Sequence, residues 1–115
     1  MRTFLPLFLL AALCTASQAV NLIANGGFEN SAMGDYQLVG GNDSTTIASW
    51  TTIPEGVERF KPGTYLGGVF GSAHEGVVVV DLAPFTYNVG GLYQNVATVA
   101  SQQYRLTFWG STSNL

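Results

Sequence analysis

Short runs of β-branched and aromatic residues, separated by glycine-rich turns, most restrict how this chain can fold. After residue 19, no stretch shows the three- and four-residue apolar spacing of a helix. The runs instead predict strands at residues 22–24, 36–39, 48–53, 56–60, 77–82, 91–99 and 104–109. Each strand has an apolar face to cover, so we expect an all-β fold, an antiparallel jelly-roll β-sandwich.

Two of these predicted strands carry further information. Residues 77–82 lack polar alternation, which predicts a central strand that is covered on both faces. In residues 104–109 alternation is clear, with Tyr104, Leu106 and Phe108 expected inward and Arg105 outward. No closing strand follows, so we expect the sandwich to be incomplete, with its C-terminal strands missing.

The first nineteen residues have the layout of a secretory signal peptide. A short positive start at Arg2 precedes an apolar run over residues 4–13, and Ser17 and Ala19 are small residues at the expected cleavage site. The run is shorter than the roughly 20 apolar residues that span a bilayer, so no transmembrane segment is predicted. We therefore expect a secreted or cell-surface protein with one domain over residues 20–115.

Removal of the leader changes both the cysteine content and the net charge of the chain. The only cysteine, Cys14, leaves with it, so the mature chain has neither a disulfide nor thiol chemistry. Three basic and seven acidic residues remain, which give a net charge of −4. An acidic chain without a basic cluster is not expected to bind nucleic acid.

Three oxygen-bearing side chains near the start of the mature chain are candidate metal ligands. Glu29, Asn30 and Asp35 lie close together in sequence beside glycines that free backbone carbonyls, and hard oxygen ligands suit calcium. The alternative is that Glu29 and Asn30 are turn residues that satisfy backbone amides. With one histidine and no cysteine, the mature chain lacks the usual ligands of zinc.

Catalysis by paired carboxylates has four candidate side chains: Glu55, Glu58, Glu75 and Asp81. A mature chain this short would struggle to build a deep substrate cleft. The one histidine, His74, has no neighbouring serine or cysteine that suggests a nucleophile. We therefore predict no catalytic residue and no enzymatic activity.

Aromatic residues in loop-like segments are the remaining candidates for a site. Sugar rings stack on exposed aromatic faces, and four such residues are candidate ligand-binding groups: Tyr65, Phe70, Phe85 and Tyr87. The alternative is that they pack under loops, as large aromatics often do. Trp50, in a predicted strand, is instead expected in the core.

The order of short motifs resembles a known group of proteins. The motifs are Asn21-Leu22-Ile23-x-Asn25-Gly26-x-Phe28-Glu29, Ser49-Trp50, Val57-Glu58, Glu75-Gly76, Val80-Asp81-Leu82, Gly91-Leu92-Tyr93-Gln94 and Tyr104-x-Leu106-Thr107-Phe108. This succession is similar to galactose-binding-like β-sandwiches, in particular the choice-of-anchor C family of bacteria and domain-of-unknown-function family 642 of plant cell walls. That family continues with further strands, which are missing here.

The resemblance implies a secreted, non-catalytic module that associates with polysaccharide or with glycan of the cell envelope. It also implies a structural calcium beside the opening motif, with Glu29 as a ligand, and no other cofactor. The alternatives are a surface structural or protein-interaction module and an accessory domain of a larger secreted enzyme.

Overall fold

The computed structural model describes residues 20–83 and 89–111, and the predicted leader lies outside them. The described chain forms five strands: β1 Tyr36–Val39, β2 Thr51–Thr52, β3 Val57–Phe60, β4 Val79–Asp81 and β5 Leu92–Tyr93. They build a three-stranded sheet in the order β1-β3-β4 and a two-stranded sheet of β2 and β5, and every pairing is antiparallel. A 3-10 turn at Tyr65–Gly67 is the only helical element in these residues. The predicted all-β class is confirmed.

Alternation along β1 and β3 gives the three-stranded sheet two different faces. On the core face, Val39 lies opposite Val57, and Val80 of β4 lies opposite Arg59. Val39 and Val57 are buried together with Ile47, from the turn before β2. Because the side-chain period of a strand is two, the intervening residues of β1, β3 and β4 form the opposite, outer face.

The core lies between the two sheets and is closed by residues from loops. Phe28, Trp50, Val80 and Leu92 pack against the buried cluster. Leu92 comes from β5, so it joins the two-stranded sheet to the three-stranded one. Trp50 thus packs against the core, as expected, and its indole N–H donates to the carbonyl of Asn25 at 2.9 Å.

Arg59 is a charged side chain within this apolar core. It is 0% exposed, and its Nε donates to Gln37 Oε1 at 2.8 Å. Its two terminal nitrogens donate to the carbonyls of Phe28 at 3.4 Å and Ala32 at 3.5 Å. Burial lowers the pKa of the Arg59 guanidinium, while the nearby charge of Glu29 opposes that shift. Arg59 therefore fastens the loop at residues 28–32 to the core face.

Asp43 organises the loop before β2. Its Oδ1 accepts the backbone N–H groups of Thr45 at 2.7 Å and Thr46 at 2.8 Å. These bonds, with the Thr46 hydroxyl at 2.7 Å, lower the pKa of the Asp43 carboxyl to about 2. The Asp43 carbonyl accepts the N–H of Thr52 at 2.9 Å, so the loop is tied directly to β2.

The prediction of a central strand over residues 77–82 is wrong. The strand is β4, it covers only Val79–Asp81, and among the described residues it pairs with β3 alone, so it lies at an edge. Val78 is buried, but Val77 is 57% exposed. A run of valines shows that a strand is hydrophobic, but it does not show which strands pair with it. The central strand is instead β3, whose sequence alternates.

Other predicted strands are shorter or absent. Residues 22–24 form no strand, and the predicted strands at 48–53 and 91–99 shrink to β2 and β5. Residues 104–109 form no strand either, and the side chains expected inward face solvent: Leu106 is 73% and Phe108 82% exposed. Alternation is therefore present in this segment, but no sheet edge is paired with it.

Candidate functional site

The outer face of the three-stranded sheet is the candidate site. Its members follow from the strand register: Tyr36, Leu38, Glu58, Phe60, Val79 and Asp81. Tyr36 lies opposite Phe60, which in turn lies opposite Val79, so an apolar row crosses the sheet. Glu58 lies between Leu38 and Asp81, which places two carboxylates side by side in the next row.

The loop that follows β3 returns over this outer face. The N–H of Lys61 donates to the carbonyl of Asp35 at 2.8 Å, and the hydroxyl of Thr64 donates to the Asp35 carboxylate at 2.8 Å. Tyr65 then begins the 3-10 turn, which ends at Gly67 and is capped by Gly68 with a φ of 81°. The anchor at Asp35, directly before β1, thus brings Tyr65 back above the strands.

Four half-buried aromatic rings meet here and form what we call the aromatic platform: Tyr36, Phe60, Tyr65 and Phe70. Tyr65 stacks on Tyr36 with ring centroids 5.0 Å apart and on Phe70 at 5.8 Å. Phe60 contacts Tyr65 at 5.3 Å and Phe70 at 5.1 Å in tilted arrangements. These separations are those of favourable aromatic pairs, so the rings hold one another in place.

The carboxylates of Glu58 and Asp81 border the platform and affect the pKa of Tyr36. Burial raises the pKa of the Tyr36 hydroxyl to about 12, and its hydrogen bond to Glu58 and the nearby charges of Glu58, Tyr65 and Asp81 add to the shift. Asp81 Oδ1 accepts the backbone N–H of Ala83 at 2.8 Å. The outer face therefore combines flat apolar rings with oxygen acceptors.

A groove of about 370 Å³ lies beside the loop that carries Tyr65. Residues 61–64 line one side, and Ser72, Ala73, Gly76 and Val77 line the other. Its volume falls within the range of small-ligand pockets, roughly 300–1,000 Å³. Residues 61–64 connect Phe60 to Tyr65, so the groove lies next to the platform along the chain.

Tyr65 and Phe70, two predicted ligand-binding residues, come together in the platform, whereas the predicted residues Phe85 and Tyr87 lie outside the described residues. Sequence reasoning missed Tyr36 and Phe60 as members of the site. Their positions at the start of β1 and the end of β3 would have identified them if the register of that pair had been known.

Glu29, the predicted calcium ligand, uses its carboxylate on backbone amides. Its Oε1 accepts the N–H groups of Val77 at 2.7 Å and Val78 at 2.8 Å, which leads the chain into β4. Gly76, with a φ of 67°, leaves room for this carboxylate, because a Cβ there would meet Glu29 Oε1. The described residues bring together no group of three or more side chains suited to a metal, so calcium ligation stays a prediction.

The opening segment, residues 21–31, is a junction of long-range contacts, although it was predicted to begin with a strand. Asn25 donates to the carbonyl of Ala48 at 2.9 Å, and Gln94 bonds both the N–H and the carbonyl of Ala24. The ring of Phe28 contacts Trp50 at 5.3 Å. Positive φ values fall on Asn25 and Phe28, so these residues, and not the glycine pair, make the tight bends.

We expect Glu29→Ala to lower the free energy of unfolding by about 1–3 kcal/mol, because two amides lose their acceptor. Glu29→Gln, which keeps an acceptor oxygen, should cost less. Melting with and without a chelator tests calcium separately. A chelator-induced fall in Tm that Glu29→Ala abolishes would support ligation, whereas an unchanged wild-type curve would contradict it.

No protein-family model, curated protein or solved structure matches this chain in the comparisons. Within the described parts of the chain, no helix has the length and hydrophobicity needed to cross a bilayer.

Proposed function

We propose that this chain is a secreted, non-catalytic module of jelly-roll type whose outer face binds polysaccharide or a cell-envelope glycan. The observation that carries the proposal is the aromatic platform, in which Tyr65 stacks on Tyr36 and on Phe70 at the border of two carboxylates. The resemblance of the motifs to glycan-associated sandwiches points in the same direction.

The aromatic rings and the carboxylates of the outer face suit the two kinds of surface on a sugar ring, its C–H faces and its hydroxyl groups. The C–H faces of a pyranose pack on aromatic rings through apolar contact and the quadrupole of the ring. Its hydroxyl groups donate to carboxylates, which form shorter and stronger hydrogen bonds than neutral acceptors do. Glu58 and Asp81 supply such acceptors in the row next to Phe60.

The same carboxylates raise the question of hydrolysis, because Glu58 and Asp81 are neighbours across β3 and β4. We propose a binding role, since neither carboxylate lines the groove beside the Tyr65 loop and a glycosidase needs a cleft that encloses the scissile bond. Incubation with soluble glycans should release no reducing ends. Release that Glu58→Gln abolishes would contradict the non-catalytic assignment.

A protein-interaction or structural module, or an accessory domain of a larger secreted enzyme, is the alternative function. The exposed apolar side chains of residues 104–109 favour protein contacts. Retention by insoluble glycans distinguishes these alternatives from the proposal.

We expect Tyr65→Ala to weaken glycan binding by about tenfold or more, as truncation of a central aromatic anchor does. The measurement is retention of the mature chain on a panel of insoluble polysaccharides, followed by titration with soluble fragments of the glycan that retains it. Tyr93→Ala is the matched control, because Tyr93 is a half-exposed tyrosine on the other sheet.

Equal losses for the two variants would show that the platform is not the binding surface. Failure of every glycan in the panel to retain the wild-type chain would contradict the proposal as a whole. Melting curves of both variants serve to exclude unfolding as the cause of lost retention.

A further inference from the structure

Residues 104–109, the strand segment, have the sequence of a strand without a partner strand. Tyr104, Leu106 and Phe108 alternate with Arg105 and Thr107, and all five side chains are exposed. The segment makes no ladder hydrogen bonds within the described chain. Such an apolar strand in water is a template for pairing with a sheet edge.

Among its described residues, the same molecule has an unpaired sheet edge, that of β4, which could accept such a strand. β4 pairs with β3 on one side, and its other side faces no strand in the described residues. Val78 and Val80 turn toward the core from this edge, and Asp81 turns toward the outer face. The edge thus presents an apolar row on one face and a carboxylate on the other.

The two partners are complementary in one antiparallel register. If Arg105 lies opposite Asp81, the period of two places Leu106 opposite Val80 on the core face, and the pairing ends before Val78, whose N–H is held by Glu29. Arg105 is the only charged residue in the described stretch from 89 to 111, and it would join the two carboxylates of the outer face. A shift by one residue would place Arg105 on the core face, so charge and polarity favour the first register.

The position of the strand segment indicates which strand could pair with the free edge of β4. The ring of Trp109 stacks on His74 at 3.8 Å, in the loop that precedes β4, so strand segment and free edge belong to one continuous surface patch. A patch that carries both a strand and its complementary edge is self-complementary, as a two-fold interface requires.

We propose that the free edge of β4 accepts residues 104–109 of a second copy of this chain, and that the exchange is reciprocal. The resulting dimer extends each three-stranded sheet by one strand. It covers the apolar side chains that the single chain leaves in water. The interface does not require a bound glycan, but Arg105 of the second copy would share Asp81 with the proposed glycan-binding face.

Light scattering after size-exclusion chromatography of the mature chain tests the proposal, and we expect a concentration-dependent dimer. Thr107→Pro should weaken the dimer by at least about tenfold, because proline removes a ladder donor from the middle of the strand. Thr98→Pro, in an exposed stretch outside the strand segment, is the matched control and should leave the dimer intact. Asp81→Asn should weaken the dimer about two- to fivefold, as loss of an exposed ion pair does.

Single-cysteine chains identify the pairing, because residues 20–115 contain no cysteine. Mixing Leu106→Cys with Val80→Cys under oxidising conditions should give a mixed disulfide dimer, since directly opposed residues bring their Cβ atoms within bridging range. A monomer at all concentrations would overturn the proposal. So would the double variant if it formed an internal disulfide as a monomer, because the strand would then pair within its own chain.

Discussion

Gly56→Ala is expected to lower the free energy of unfolding by about 2–5 kcal/mol, as the sum of two costs. Gly56 has a φ of 73°, in the left-handed region, where a side chain costs roughly 1–2 kcal/mol. A Cβ would also meet the carbonyl of Val39 and lie 3.1 Å from the carbonyl carbon of Gly40, and such overpacking typically costs about 1–3 kcal/mol.

The position of Gly56 makes this strain hard to relieve. Its N–H donates to the carbonyl of Ile53 at 2.9 Å and closes the turn between β2 and β3, while its carbonyl accepts the N–H of Gly91 at 3.2 Å. A shift of the backbone there would disturb both sheets. The cost therefore remains close to the sum of the two terms.

Urea unfolding measures this effect, and Gly63→Ala is the matched control. A Cβ at Gly63 meets nothing within 4 Å, and Gly63 has no positive φ. The control should change stability by less than about 1 kcal/mol, in either direction. Equal midpoints and slopes for Gly56→Ala and the wild type would show that Gly56 does not occupy a crowded, left-handed position in the turn at residues 53–56.

Arg59→Ala is expected to cost about 3–5 kcal/mol, because it removes a fully buried side chain and leaves its partners without a donor. Gln37 Oε1 and the carbonyls of Phe28 and Ala32 all lose a hydrogen bond. The loop at 28–32 loses its attachment to the sheet as well. Against a total stability of about 5–15 kcal/mol for a domain, this loss amounts to between roughly a fifth and all of the free energy of unfolding.

Arg59→Met separates the volume of the side chain from its hydrogen bonds. Methionine fills most of the space and removes the cost of a buried charge, so we expect a smaller loss, about 1–2 kcal/mol from the broken hydrogen bonds. Denaturant midpoints of the two variants provide the comparison. If Arg59→Met is as unstable as Arg59→Ala, the hydrogen bonds dominate and the packing argument is wrong.

Local sequence was sufficient for part of the fold. β1 matches the predicted strand at 36–39, and β3 lies within the predicted strand at 56–60, because both runs combine β-branched and aromatic residues between turn signals. The edge position of β4 was not predictable, because it depends on which strands pair across the chain. The burial of Arg59 was also missed, since no local pattern says which face of β3 packs inward.

The candidate site was predictable to a similar extent. Tyr65 and Phe70 were identified because they fall in loop-like sequence, where the pattern does not predict burial in the core. Tyr36 and Phe60 belong to separate strands, and only the register between β1 and β3 brings them together. The use of Glu29 on Val77 and Val78 depends on residues far apart in the chain, beyond any local pattern.

The contacts of the opening segment also set an order of folding. Ala24 bonds to Gln94, 70 residues further along, Asn25 to Ala48 and Glu29 to Val77. Loops of this length must close before those bonds contribute, and chains dominated by such distant contacts fold slowly. The segment that is made first can therefore complete its contacts only after the residues around Gln94 have been made.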